Sequence, residues 1–219
     1  MKRKIILSED GSSTIYVEDL GEHYHSVFGA KAESEHVFIH AGLRYLEQKA
    51  YKKIDILEVG LGTGLNLYLS YIHKNPSTRI NYLAIEKYPL IETEWKALNY
   101  TGSENTHLDL FSEIHNSEWN IPIKTEENFQ FLKIRTDLKT YMPPHGLDLI
   151  YFDAFAPDVQ PELWSKDIFS RIYESLNHGG ILVTYSAKGF VKRNLQESGF
   201  SLEKLPGPKG KRHMLRALK

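Results

Sequence analysis

The feature that most constrains this chain is the run Ile54-Asp55-Ile56-Leu57-Glu58-Val59-Gly60-Leu61-Gly62-Thr63-Gly64. A short apolar strand ends in three glycines spaced two apart, and a helix is predicted to follow over 64–73. The alternation then repeats. Further strands are predicted over 80–86, 129–135, 147–152 and 180–185, with helices over 89–98, 161–176 and 190–198. Residues 200–205 and 213–218 flank Pro206-Gly207-Pro208-Lys209-Gly210 as a terminal antiparallel pair. Such alternation implies an α/β fold, a mostly parallel sheet with helices on both faces and an antiparallel C-terminal strand. Ligands of such sheets bind beyond the carboxyl ends of the strands. The residues standing there are Glu58, Glu86, Asp137, Asp153 and Ser186.

Ahead of this core, 4–7 and 14–17 bracket the turn Glu9-Asp10-Gly11-Ser12 as a β-hairpin. An extended segment is expected at 24–28, then a helix over 32–48 with Val37, Phe38, Ala41, Leu43, Tyr45 and Leu46 on its apolar face. The expected organisation is therefore an N-terminal hairpin-and-helix extension over 1–50, packed on a core over 51–219. Residues 99–128 are the least readable, with an extra strand expected at 119–123.

The 219 residues suit one domain of this kind. With no cysteine, disulfides, thiolate metal sites and cysteine nucleophiles are excluded; the ten histidines form no HExxH pair, so no metal is expected. The N-terminal apolar run is too short for a signal peptide or a membrane span, so no membrane association and a cytoplasmic location are expected. Net charge is only −1, yet from Ser186 onward nine basic residues face two acidic ones. That run is a solvated surface or a phosphate-contacting face.

A dinucleotide-binding GxGxxG would need glycine where this chain has Leu65. What stands instead is a carboxylate two residues before the first of three alternating glycines. This arrangement resembles the first motif of class I S-adenosylmethionine-dependent methyltransferases, which have a Rossmann-like fold. The resemblance implies that Gly60, Gly62 and Gly64 let the backbone approach the methionine portion of the cofactor, with Asn66 beside them. Glu58 would accept from the cofactor's ammonium or order the turn. Glu86 would accept both ribose hydroxyls, since an ionised carboxylate offers two acceptor oxygens. Asp137 would accept from the adenine amino group while Leu138 covers the ring, although an aspartate capping a turn looks the same. Asp153, at the strand end that faces the transferable methyl, would orient the acceptor.

Leu57–Asn66, Tyr151-Phe152-Asp153-Ala154-Phe155-Ala156-Pro157, Thr184-Tyr185-Ser186-Ala187-Lys188 and Gly210-Lys211-Arg212-His213-Met214-Leu215 together resemble the methyltransferase domain of the bacterial tRNA 5-methylaminomethyl-2-thiouridine biosynthesis family, MnmC. Tyr24-His25-Ser26, Gly29-Ala30, Glu33 and Val37-Phe38 fit that family's entry segment. The resemblance implies methylation of the primary amine of 5-aminomethyl-(2-thio)uridine at the tRNA wobble position, with tRNA as partner. Many members also carry a flavin-dependent oxidase domain, for which 219 residues leave no room, so a stand-alone methyltransferase is expected. Tyr24, Ser26, Phe155, Tyr185, Lys188, Arg193, Lys211 and Arg212 are then the candidate substrate contacts. A small-molecule or protein acceptor, or an aminopropyltransferase like spermidine synthase, remain the alternatives.

Overall fold

The structure is a computed structural model, and it describes residues 1–101 and 107–219. Among these residues, the central sheet has the order β10-β11-β9-β8-β4-β5-β7-β6. Its strands are β4 (Lys53–Val59), β5 (Arg79–Glu86), β6 (Ile123–Glu126), β7 (Phe129–Arg135), β8 (Leu147–Phe152), β9 (Leu176–Thr184), β10 (Ser201–Pro206) and β11 (His213–Leu218). The inner five, β9-β8-β4-β5-β7, run parallel; β6 and β11 run against them, and β10, antiparallel to β11, runs with them. The strand order reverses between β4 and β8, which opens a crevice at their carboxyl ends. A separate small sheet holds β1 (Arg3–Leu7), β2 (Ser13–Val17) and β3 (Glu22–His23).

Side chains alternate between the two faces along each strand. On β4, Ile54 and Ile56 join one apolar cluster while Leu57 and Val59 join the other. The first cluster is covered by α3 (Leu65–His73), α5 (Leu108–Asn116) and the N-terminal helix; the second by α6 (Lys166–Ser175) and α7 (Gly189–Glu197). Ile15, Val37, Phe38 and Leu43, all ahead of β4, share the first cluster with Leu149 and Tyr151 of β8.

The helix expected over 32–48 is continuous, but its centre is wider than an α-helix. It passes from α1 (Ala30–Ser34) through a π-helical stretch, Glu35–Leu43, into α2 (Arg44–Gln48). The wide turns lay Gly42 flat on the sheet, where a Cβ would come within 3.1 Å of Tyr151 and 3.2 Å of Val183. Fully buried Val37, Phe38, Ile39 and Leu43 each contribute roughly 1.5–3 kcal/mol, which offsets the poorer π geometry.

Three other expectations are corrected. The helix expected from Pro89 is only α4 (Glu92–Trp95), because Ile91 stays extended and donates its N–H to Glu94 at 2.9 Å. The helix over 161–176 splits into a 3-10 turn, Pro161–Trp164, and α6, with extended Ser165 capping the second. The extra strand is β6 rather than 119–123. Asn120 has φ +67 and Pro122 has no N–H, so pairing starts only at Ile123. Of the poorly readable stretch, residues 102–106 lie outside the described residues.

Candidate active site

The turn after β4 explains its own glycines. Gly60 has φ +88, and a Cβ there would stand 2.7 Å from the Asp153 carbonyl oxygen. Gly62 has φ +51, and its Cβ would stand 2.9 Å from the Tyr24 ring. Gly64 faces Ile114 and His115 of α5 and is not on the cavity wall. Close approach of other protein segments thus requires these glycines, beside any role they have toward the cofactor. The turn's amides are also spoken for: Gly60 and Leu61 donate to the Ile85 carbonyl, and Gly62 donates to Glu86 Oε2 at 3.0 Å.

Beyond this turn lies a cavity of about 600 Å³, a size ordinary for a small-molecule site. Its wall includes Tyr24, Ser26, Gly60, Gly62, Glu86, Asp137, Leu138, Asp153, Phe155, Tyr185 and Lys211. Among the described residues, six carboxylates line it against three ammonium groups, so it favours cationic ligands. Glu86 accepts from Gly62 through one oxygen and from Tyr88 N–H, at 2.7 Å, through the other. Each oxygen keeps a further lone pair. Asp137 accepts the Lys139 N–H at 2.9 Å and pairs with Lys87 at 2.9 Å. Burial opposes its ionisation, but these two contacts outweigh burial and hold its pKa below the usual range.

Asp153 follows β8 and accepts from Asn66 Nδ2 at 2.8 Å. Burial, helped by the charge of Glu33, raises its pKa to about 7, against the Asn66 hydrogen bond and Lys211. Asn66 itself is 2% exposed and is not on the cavity wall; it holds Asp153 from behind.

Glu58 departs furthest from expectation. Strand alternation sends it to the same face as Ile54 and Ile56, where it is fully buried, away from the cavity. Among the described residues no backbone N–H donates to either oxygen, so it does not order the turn; the groups beside it are the Asn66 and Tyr82 side chains. Burial, then the charge of Asp153, pushes its pKa well above the ordinary value. The folded chain thus retains a proton that the unfolded chain loses above the usual 4.5. Stability should fall with rising pH, by about 1.4 kcal/mol per unit from this group while it is protonated only in the folded state. Glu58→Gln should remove this group's share of the slope in denaturant titrations as the pH rises above 4.5; parallel wild-type and variant curves would contradict the assignment.

At the far end of the cavity, Tyr24 packs edge-on against Phe155, with ring centroids 5.1 Å apart. Tyr185 donates its hydroxyl to the Ala154 carbonyl at 2.8 Å. His25 bonds Thr63 Oγ1 at 2.6 Å, and burial lowers its pKa to about 4, so this neutral side chain ties the N-terminal segment to the glycine turn. Sequence reasoning assigned no role to Glu33. It is buried on the cavity wall, accepts the Ser26 N–H at 2.7 Å and binds the Lys211 ammonium. Its position in helix spacing, one turn into α1, distinguished it in no way from a surface glutamate.

Residues 104–219, more than half of the chain, match the sequence profile of a family described as S-adenosyl-L-methionine-dependent methyltransferase. The chain belongs to this family. The bifunctional tRNA 5-methylaminomethyl-2-thiouridine biosynthesis protein MnmC of Pseudoalteromonas atlantica is 31% identical, over 88% of this chain and 30% of that protein. The protein of the same name from Aeromonas salmonicida is 30% identical, over 90% of this chain and 32% of that protein. The methyltransferase thus spans about a third of the length of the curated relatives it matches. The crystal structure of MnmC2 from Aquifex aeolicus aligns with a TM-score of 0.81 at 28% identity, over 99% of this chain and 70% of that one. Spermidine synthase from Thermotoga maritima aligns at 0.55 with 13% identity, over 100% of this chain and 74% of that one, which is a likeness of fold alone. The fold is the expected Rossmann-like one, and the cofactor of the methyltransferase is S-adenosylmethionine.

The basic residues of the methyltransferase's C-terminal stretch do not act as one face. Lys188 pairs with Asp158, Lys209 with Glu9, Lys211 with Glu33, and Arg216 with Glu203. Lys219 donates to the Tyr173 carbonyl. Lys188 and Lys211, both candidate substrate contacts, are thus each held by a carboxylate. Lys192, Arg193, Lys204 and Arg212 have no ion pair among the described residues, and the last three are exposed. The charges of Lys204, Arg212 and Lys192 gather around His213 and, after burial, help to lower its pKa. Among the described residues no group of three or more potential ligands could hold a metal ion, and no helix is long and apolar enough to cross a membrane.

Proposed function

We propose that this methyltransferase transfers a methyl group to the primary amine of a 5-aminomethyl-uridine at the wobble position of tRNA. The observation that carries the reading is that Asp153 shares one cavity, rich in carboxylates, with the edge-on Tyr24–Phe155 pair and with Tyr185. The names of the MnmC relatives support tRNA as the acceptor.

The residues present fit the cofactor. Glu86 retains lone pairs for two hydroxyls, Leu138 offers an apolar wall beside Asp137, and Gly60 and Gly62 leave the turn's surface free of side chains. When bound, S-adenosylmethionine supplies a methyl group already activated on a sulfonium, so the protein's task is in-line alignment. Asp153 does the aligning at the acceptor. An alkylammonium has a pKa of about 10, and only the neutral amine is a nucleophile. Passing its proton to a carboxyl of pKa about 7 is uphill by roughly 4 kcal/mol, so Asp153 serves chiefly to orient the amine. The rings of Tyr24 and Phe155 provide faces on which an unstacked base can lie, while Tyr185 carries the Lys211 ammonium.

The tRNA phosphates would meet Lys192, Arg193, Lys204 and Arg212. Replacing Lys204 and Arg212 together by glutamine should weaken tRNA binding and flatten its log–log salt dependence by about 2, roughly one per lost phosphate contact. Replacing Lys188, already paired with Asp158, should leave the slope unchanged. Equal salt slopes in the double variant and the wild type would exclude this face.

A further inference from the structure

Three charged groups meet at the ring-lined end of the cavity. Asp153 stands after β8, Glu33 projects from α1, and Lys211 reaches in from the turn before β11. Glu33 is 6% exposed, takes the Ser26 N–H on Oε2 and holds the Lys211 ammonium on Oε1. The same ammonium lies 3.9 Å from the centroid of the Tyr185 ring. Lys211 thus places a primary ammonium between a buried carboxylate and an aromatic face, surroundings that bind such a cation well. With Asp153 ionised, two carboxylates and one ammonium leave one negative charge without a partner in a half-closed niche, which disfavours the niche without a further cation.

We infer that Glu33 is a second carboxylate for the acceptor's amine, and that Lys211 is the resident cation with which an incoming primary ammonium shares or exchanges it. The inference rests on the amine-acceptor reading above and adds a selectivity element to it. A neutral acceptor of the same shape, such as a hydroxymethyl group, brings no charge to balance Asp153 and Glu33. Glu33 therefore sets the preference for amine over alcohol, while Asp153 aligns whichever amine enters. Its ionic bond to Lys211 also ties the turn to α1, alongside Lys209–Glu9 at 2.7 Å and the contact of Phe28 with Gly210. A tie of that kind is indifferent to the charge of the acceptor, so selectivity separates the two roles.

The test uses the full chain with S-adenosylhomocysteine present, titrated with 5-aminomethyluridine and with 5-hydroxymethyluridine. The wild type should prefer the amine by at least about tenfold, as a charge-assisted hydrogen bond provides. Glu33→Gln should lose about tenfold of that preference, and Glu33→Asp should restore most of it. Lys211→Met, which removes the competing ammonium, should tighten amine binding without tightening alcohol binding. Thermal melts establish that each variant is folded. An unchanged amine preference in folded Glu33→Gln, or equal gains for both nucleosides in Lys211→Met, would overturn the assignment. A wild type with no amine preference would instead bring down the amine-acceptor reading itself, and this inference with it.

Discussion

Asp153→Ala should leave S-adenosylmethionine affinity within about twofold of wild type while methylation of 5-aminomethyl-uridine tRNA falls at least about tenfold. The separation follows from where the carboxylate sits. Its oxygen is held by Asn66, behind the wall, and the groups placed to hold the cofactor's ribose and base are Glu86, Asp137 and Leu138. Asp153→Asn, which keeps the volume and loses the charge, should show the same loss. Calorimetry with the cofactor and single-turnover methylation with the tRNA would measure the two arms. Normal turnover in either variant would remove Asp153 from the mechanism.

Gly60→Ala should be the most destabilising of the single substitutions considered. A left-handed φ in a non-glycine residue costs about 1–3 kcal/mol, and here the new Cβ would also stand 2.7 Å from a backbone oxygen that has no rotamer to yield. Gly146 supplies the control. Its φ is +91, but the nearest atom to a Cβ there is Asn177 Oδ1 at 4.0 Å. Gly146→Ala should therefore show the dihedral cost alone, and Gly60→Ala should exceed it by about 1 kcal/mol or more, since overpacking adds its own penalty. The excess should be accompanied by lost methylation, because relief of the clash pushes the Asp153 backbone away. Equal losses of stability in the two variants would mean that the turn and the end of β8 do not press on each other as described.

The sheet was legible because its strands are apolar runs of the right length broken by glycine and aspartate, a signal that depends only on local pattern. The strand-end positions of Glu86, Asp137 and Asp153 followed from the same pattern, and all three are on the cavity wall. Glu58 shows the limit of that reasoning. It also precedes a turn, but the alternation of β4 directs it into the face covered by α3, and linear position does not reveal which face opens to a ligand. Asn66, expected beside the cofactor, touches Asp153, a contact between residues 87 apart that no spacing rule reports. The basic run was legible as composition but not as pairing, for the same reason. Whether Lys211 is free or paired depends on Glu33, 178 residues away in the chain. The π-helical centre was invisible too, since its residues have ordinary helical spacing and the approach of Gly42 to Tyr151 and Val183 is a tertiary contact.

The most direct measurement combines the purified chain with S-adenosylmethionine and tRNA that bears 5-aminomethyl-uridine, followed by mass spectrometry of the digested wobble nucleosides. The account predicts conversion of 5-aminomethyl-uridine to its N-methyl product, with one S-adenosylhomocysteine released per methyl transferred. An unchanged nucleoside profile, from protein that binds S-adenosylmethionine, would contradict the acceptor while leaving the fold and cofactor in place.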